Sequence, residues 1–225
     1  GKNKYMEGFN WGGSNDWYRK IILQEVFTSK IYEKYFEVKE GDIVFDAGAS
    51  IGPFSFSIKN KKPKHIYCVE PLLQQIKVLE DNLLAIPHTT IPHAIGKEDI
   101  LIDNYGFDED KNKISIYAKP FMEIINENNI EKINFLKTDC EGGEYDIFSI
   151  DNFCWLKENV GVVVGEWHLS TPELKQKFRV FRDVFLRLFP NHQIESVDGL
   201  DIKWDLWNEH FIKYYNEVII YIDNR

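Results

Sequence analysis

The segment Val44-Phe-Asp46-Ala-Gly48-Ala-Ser-Ile-Gly52 constrains this chain more than any other stretch. An apolar run opening at Asp42 reads as a buried strand, and two glycines then break it into a tight turn. His65–Glu70 repeats the strand signal, and a parallel partner needs a crossover between the two. Pro53–Lys59 is therefore expected to be a helix, although Phe54, Phe56 and Ile58 alternate as they would in a strand. The alternation continues. Leu72, Ile76, Leu79 and Leu83 form a helical stripe, Thr89–Ile95 and Ile133–Thr138 read as strands, and Val160–Gly165 is apolar enough for burial on both faces. Ser170-Thr-Pro-Glu173 is a capping box ahead of Leu174, Phe178, Phe181, Phe185 and Leu188. Ile194–Ser196 and Glu217–Ile222 should close the chain as an antiparallel pair. The expected fold class is α/β: a seven-stranded, mostly parallel, doubly wound sheet with a C-terminal antiparallel hairpin.

Composition narrows the function. At 225 residues, 44% hydrophobic and 28% charged, the chain has an ordinary globular make-up, and disorder is excluded as its main state. Residues 1–40 read as an N-terminal helical cap or lid and residues 41–225 as one binding domain. The start at Gly1 suggests processing or excision from a longer protein. Its 27 basic residues, five of them Arg, against 36 acidic ones give a net charge of −9, which argues against nucleic acid as partner. The three cysteines lack CxxC spacing, and neither a signal peptide nor a membrane span is visible. A reducing, cytoplasmic setting without membrane contact is expected.

The chemistry is concentrated at strand ends. Neither the dinucleotide fingerprint nor a P-loop fits Asp46–Gly52. An acid at Asp46 opposes a phosphate but suits the cationic S-adenosylmethionine, and Glu70, about twenty residues after the turn, suits ribose hydroxyls. Phe135-Leu-Lys-Thr-Asp139-Cys-Glu141-Gly142-Gly143-Glu144-Tyr145 ends a later strand in carboxylates. Asp139 and Glu141 should face the methyl-donor pocket, while Glu144 reads as a helix-start acid.

Together VFDAGASIG, Val69-Glu70-Pro71, His93–Gly96 and FLKTDCEGGEYDIF resemble the FkbM-type S-adenosylmethionine-dependent methyltransferases, from about Val38 to His168. The resemblance implies a Rossmann-like class I methyltransferase fold, with S-adenosylhomocysteine as product and mostly sugar, polysaccharide or polyketide-derived hydroxyls as acceptors. It implies Asp46, Gly48, Ala49, Ser50 and Gly52 around the methionine moiety, Glu70 on the ribose, and Ala94 and Ile95 near the adenine. Cys140-Glu-Gly-Gly143 stands where the family usually has Val-Glu-Gly-Ala.

In Gly165-Glu166-Trp167-His168, alternation puts Glu166 and His168 on one side, beside Asp139. A neutral His168 could take the proton of an acceptor hydroxyl, with Asp139 as rival base. The other reading is a ring that bonds Glu166 and merely holds the strand end. Asp139, Glu141, Glu166 and His168 could also gather around Mg²⁺ or Mn²⁺. No H-x-H or H-x-x-x-H pair supports this, so no metal is expected. Trp11–Trp17 is either a lid or a packed terminus, and Asp103–Asp110 reads as a solvent loop. Trp204, Trp207, Phe211 and Tyr215 could share one helix face. Such a face is more often core than carbohydrate platform, but Trp11, Trp17, Trp167, Trp204 and Trp207 lie in segments that flank the site, the rings suiting a sugar, so a glycan acceptor is expected. The alternatives are a nucleoside-binding module without catalysis, serving other glycan-assembly domains of the same polypeptide, and an enzyme acting on polyketide-type molecules.

Overall fold

The structure, a computed structural model, describes residues 4–108 and 110–225. The chain divides into two compact units, Gly1–Ala94 with Glu98–Lys119, and Ile95–Lys97 with Pro120–Arg225.

The first unit opens with helix α1 (Asp16–Ile22), whose N-cap Asn15 accepts a hydrogen bond from Tyr18 N. Phe9 and Phe27 are buried beyond its ends and pack with Phe56, Phe9 lying 5.2 and 5.1 Å from the two rings. Strand β1 (Ile43–Ala47) leads through the glycine turn into α2 (Pro53–Ser57). All five residues of α2 are buried, which is why its apolar spacing showed no helical stripe. Strand β2 (His65–Val69), helix α3 (Leu73–Asn82) and strand β3 (His88–Ile91) follow, with β2 parallel to both β1 and β3. The strand expected over Thr89–Ile95 is broken. Pro92 has no N–H to continue a ladder, and the two-residue strand β4 (Ala94–Ile95) joins a separate three-stranded sheet instead.

Strands β5 (Ile100–Phe107) and β6 (Lys113–Lys119) form an antiparallel pair whose register shifts between Ile102 and Gly106. Most of the expected solvent loop Asp103–Asp110 is thus strand, while Glu109 lies outside the described residues. Its Asp, Asn and Gly residues sit at the irregularity, where strand propensity matters least.

The second unit carries α4 (Phe121–Glu127), β7 (Ile133–Thr138), α5 (Glu144–Ile147), α6 (Phe153–Asn159) and β8 (Val160–His168). Then come α7 (Pro172–Val180), β9 (His192–Glu195), α8 (Glu209–Tyr214) and β10 (Glu217–Asp223). Strands β7 and β8 are parallel, and β10 is antiparallel to both β8 and β9, as the C-terminal pattern predicts. Gly165 pairs with Thr138, and a Cβ there would meet Thr138 O at 2.3 Å, so only glycine fits without displacing a strand. Thr171, not Ser170, caps α7, accepting from Leu174 N, because Pro172 takes the first helical position. A wide turn at Phe181–Phe185 then shifts the helical phase, so Phe189 is buried where Leu188 was expected. Phe178, Phe181, Phe185 and Phe189 run as a ladder of adjacent rings, each buried ring contributing about 1.5–3 kcal/mol.

Among the described residues, seven of the ten strands belong to one mixed, mostly parallel sheet, with the order β3-β2-β1 in the first unit and β7-β8-β10-β9 in the second. Among the described residues no helix is long and apolar enough to cross a membrane.

Candidate active site

In the first unit, Asp46 is fully buried at the end of β1 and accepts a hydrogen bond from Ser55 Oγ at 2.7 Å. The turn that follows folds back onto β2. Gly48 N and Ala49 N both donate to Val69 O, at 3.0 and 2.9 Å, and Gly52 N donates to Ala49 O. Ser50 N, at a left-handed φ of 53°, donates to Glu70 Oε1 at 2.9 Å, and Leu72 N donates to Glu70 Oε2 at 2.9 Å. Glu70 is thus fixed at both oxygens and almost fully buried. The backbone N–H groups of Gly48, Ala49, Ser50 and Gly52 are thus engaged within the protein, and through Ser50 N the turn holds Glu70.

The N-terminal segment is tied to this turn. Asn82 Nδ2 donates to Ile51 O and Asn10 O at 2.8 and 2.9 Å, its Oδ1 accepts from Asn10 N, and Tyr18 Oη lies 2.8 Å from Ser50 Oγ. Trp11 packs edge-on to Phe9, whereas Trp17 is exposed. Ala94 and Ile95 form β4, Ile95 being buried.

In the second unit the carboxylates converge on His168. Its Nε2 lies 3.5 Å from Asp139 Oδ1, 3.6 Å from Glu141 Oε2 and 3.8 Å from Glu166 Oε2. Its Nδ1 faces Glu144 Oε1 at 3.0 Å, and that same oxygen accepts from His168 N at 2.7 Å. Gly142 N donates to Glu144 Oε2 at 2.8 Å, and Tyr145 Oη donates to His168 O at 2.7 Å. Strand alternation puts Glu166 beside His168, and the antiparallel register sets Glu217 opposite it. Glu141 reaches the ring from a left-handed backbone, φ 51°, followed by Gly142 at 109°.

Burial disfavours the imidazolium, but the Glu144 hydrogen bond and the charges of Glu144, Asp139 and Glu141 outweigh it. The His168 pKa is pushed up to about 10, so the ring keeps its proton through neutral pH, in contrast to the neutral imidazole expected as base. Glu141 is raised from its ordinary value, first by desolvation, with His168 opposing and the neighbouring acids adding to it. Burial pushes the Cys140 thiol up to about 12, which leaves it inert.

The strand-end readings bring Asp139, Glu141, Glu166 and His168 together as expected. Missed were Glu144, fully buried and the main partner of the ring, and Glu217, brought in by a strand fifty residues later. An acid after two glycines carries the same signal whether it caps a helix or orients a histidine. Trp167, expected at the substrate, is fully buried and stacks on Phe181 at 5.3 Å, so it is a core residue. Trp204 is 81% exposed and Phe211 fully buried, so these residues do not share a helix face. A short 3-10 turn, Lys203–Asp205, ends before α8 begins and breaks the expected spacing. Trp207 is exposed, with the Arg187 guanidinium 4.2 Å from its ring centre.

The fold is that of the Rossmann-like methyltransferases. Fibrillarin from Aeropyrum pernix, solved with S-adenosyl-L-methionine natively bound, matches with a TM-score of 0.50 at 13% identity, over 85% of this chain and 70% of its own. Fibrillarin from Methanococcus jannaschii gives 0.49 at 13% identity over 84% and 69%, and precorrin-6y C5,15-methyltransferase from Geobacter metallireducens 0.47 at 14% over 96% and 94%. Among curated proteins, none matches the sequence. The Methyltransferase FkbM domain family matches residues 46–193, about two thirds of the chain, and the chain belongs to that family. It is an S-adenosylmethionine-dependent methyltransferase.

Proposed function

We propose that the chain transfers a methyl group from S-adenosylmethionine to a hydroxyl of a sugar or glycan. Glu70 serves as ribose acceptor, with Asp46, Gly48, Ala49, Ser50 and Gly52 around the methionine portion and Ala94 and Ile95 toward the adenine. Residues 1–40 act as a cap tied down through Asn10–Asn82 and Tyr18–Ser50.

The observation that carries this reading is the set of carboxylates around His168. Methylating a neutral hydroxyl releases a proton that a nearby group must take. With His168 already protonated, Asp139 and Glu166 are the acceptors flanking its ring. Their local positive partner also suits a substrate that develops negative charge on oxygen. The sugar preference is supported by the exposed rings Trp204, Trp207 and Tyr214, whose apolar faces suit sugar C–H surfaces. A net charge of −9 disfavours a phosphate backbone.

The test uses the chain with a methyl-labelled donor and separate pools of polysaccharides, free sugars, polyketide-type phenols and RNA. Label on sugar hydroxyls, reduced by Asp139→Asn with cofactor affinity retained, is expected. Label confined to RNA or phenols, from a chain that binds S-adenosylhomocysteine, would overturn the acceptor assignment.

A further inference from the structure

One side of the His168 ring is fully accounted for. Its Nδ1 meets Glu144 at 3.0 Å, and Glu144 is held in turn by Gly142 N and His168 N. That carboxylate fixes the plane of the imidazole and directs Nε2 at Asp139, Glu141 and Glu166. The three oxygens stand 3.5, 3.6 and 3.8 Å away, all beyond the ~2.7–2.9 Å of a charge-assisted N–H···O bond. One N–H cannot serve three acceptors. Asp139 Oδ1 is buried and has no hydrogen-bond donor among the described residues, and the His168 side chain is only 9% exposed. A polar nitrogen and a buried carboxylate oxygen thus face each other without a hydrogen bond between them.

We propose that Asp139, Glu141 and His168 form a binding site for a divalent first-row cation of the Mn²⁺ type, with Glu144 as the outer carboxylate that orients the imidazole. The spacing carries the assignment. Each of the three residues offers one ligand atom within 4.8 Å of the others, and two of the edges are 3.5 and 3.6 Å. A point equidistant from three atoms so arranged lies about 2.0–2.4 Å from each, which covers the metal–ligand distances of such ions. One imidazole with two carboxylates suits Mn²⁺ better than Mg²⁺, which prefers an all-oxygen shell, and no thiolate is present to favour softer metals. The ion would displace the Nε2 proton that the metal-free ring carries, and a ligating histidine whose other nitrogen is bonded to a buried carboxylate is the usual outer-shell arrangement. Glu166 and Glu217, which form a second group with His168, add negative charge beside the same ring.

The side chain of Glu141 is 79% and that of Asp139 29% exposed, so a bound ion would keep open positions toward solvent. There it could take the acceptor hydroxyl and lower its pKa, leaving Glu166 to receive the proton. This role rests on the proposed transfer to a hydroxyl; the binding site itself does not.

The experiment is a titration of the EDTA-stripped full chain with Mn²⁺, followed by electron paramagnetic resonance of the free ion and by calorimetry. One ion per chain is expected, with selective broadening of the His168 ring signals in NMR spectra. Asp139→Asn and Glu141→Gln should each weaken binding at least tenfold, and Glu144→Gln about 10–100-fold. Glu141→Gln alters an exposed side chain, so its effect cannot be ascribed to unfolding, and circular dichroism checks the other two. Absence of bound Mn²⁺ in the folded wild-type chain at millimolar ion would overturn the proposal, as would binding that Asp139→Asn and Glu141→Gln leave unchanged. Failure of this binding would leave methyl transfer to sugars untouched, and a different acceptor class would leave the binding untouched.

Discussion

Replacing Glu144 by alanine and by glutamine should separate what its oxygens accept from what its charge does. The side chain is fully buried and receives three N–H groups: His168 N at 2.7 Å, His168 Nδ1 at 3.0 Å and Gly142 N at 2.8 Å. Alanine strands all three. Gly142 is partly exposed and can turn to water, but the two His168 donors are buried, and each buried unsatisfied donor costs about 1–3 kcal/mol. Glu144→Ala should therefore destabilise the chain by about 4 kcal/mol. Both His168 donors share Oε1, so a glutamine carbonyl in that place keeps them and loses only Gly142 N, for about 1–2 kcal/mol. At roughly 2–4 °C per kcal/mol for a chain of this size, Tm should fall by about 8–16 °C for alanine and about 2–8 °C for glutamine. Thermal unfolding followed by circular dichroism, with urea titration as a check, measures both. An alanine variant that melts with the wild type would refute the hydrogen-bond argument. Equal damage from glutamine would show that charge, not acceptor geometry, holds the site.

Glu70→Ala should weaken S-adenosylhomocysteine binding at least tenfold in calorimetry, since it removes both the proposed ribose acceptor and the anchor of Ser50 N; unchanged affinity would refute its role. Gly165→Ala should cost about 1–3 kcal/mol or more, because its Cβ would sit 2.3 Å from Thr138 O; a variant as stable as wild type in urea would show that the strands yield freely. In EDTA-treated protein, the stability supplied by charged His168 should be full below its unfolded pKa of about 6.5 and disappear as pH rises through about 10. Urea midpoints should therefore fall across that window in the wild type but not in His168→Gln, and parallel profiles would reject the assignment.

Much of the sheet was legible because its strands are short, apolar and separated by helical stripes. Strand β7 spans the predicted residues, and the β9–β10 pairing follows from the last two apolar runs. The β5–β6 pair was not legible, since Asp103 to Gly106 carries turn-forming residues and β5 is largely exposed, so no buried apolar face marks it. At the site, Asp139, Glu141 and Glu166–His168 could be placed because strand ends and alternation fix their direction. Glu144 and Glu217 could not. One lies beyond a left-handed turn and the other on a strand brought in by antiparallel pairing, and sequence spacing measures neither. The exposure of Trp204 was hidden too, since it depends on where a short 3-10 turn stops.

Glu141 sits in a backbone region that costs an ordinary residue about 1 kcal/mol and costs glycine almost nothing. In the proposed cation site the turn trades stability for a ligand: glycine at 141 would relax the backbone and leave Nε2 one carboxylate short. A search for more heat-resistant variants of this chain would be drawn to that position first, and on that proposal would find there a protein that melts later and holds the ion less tightly.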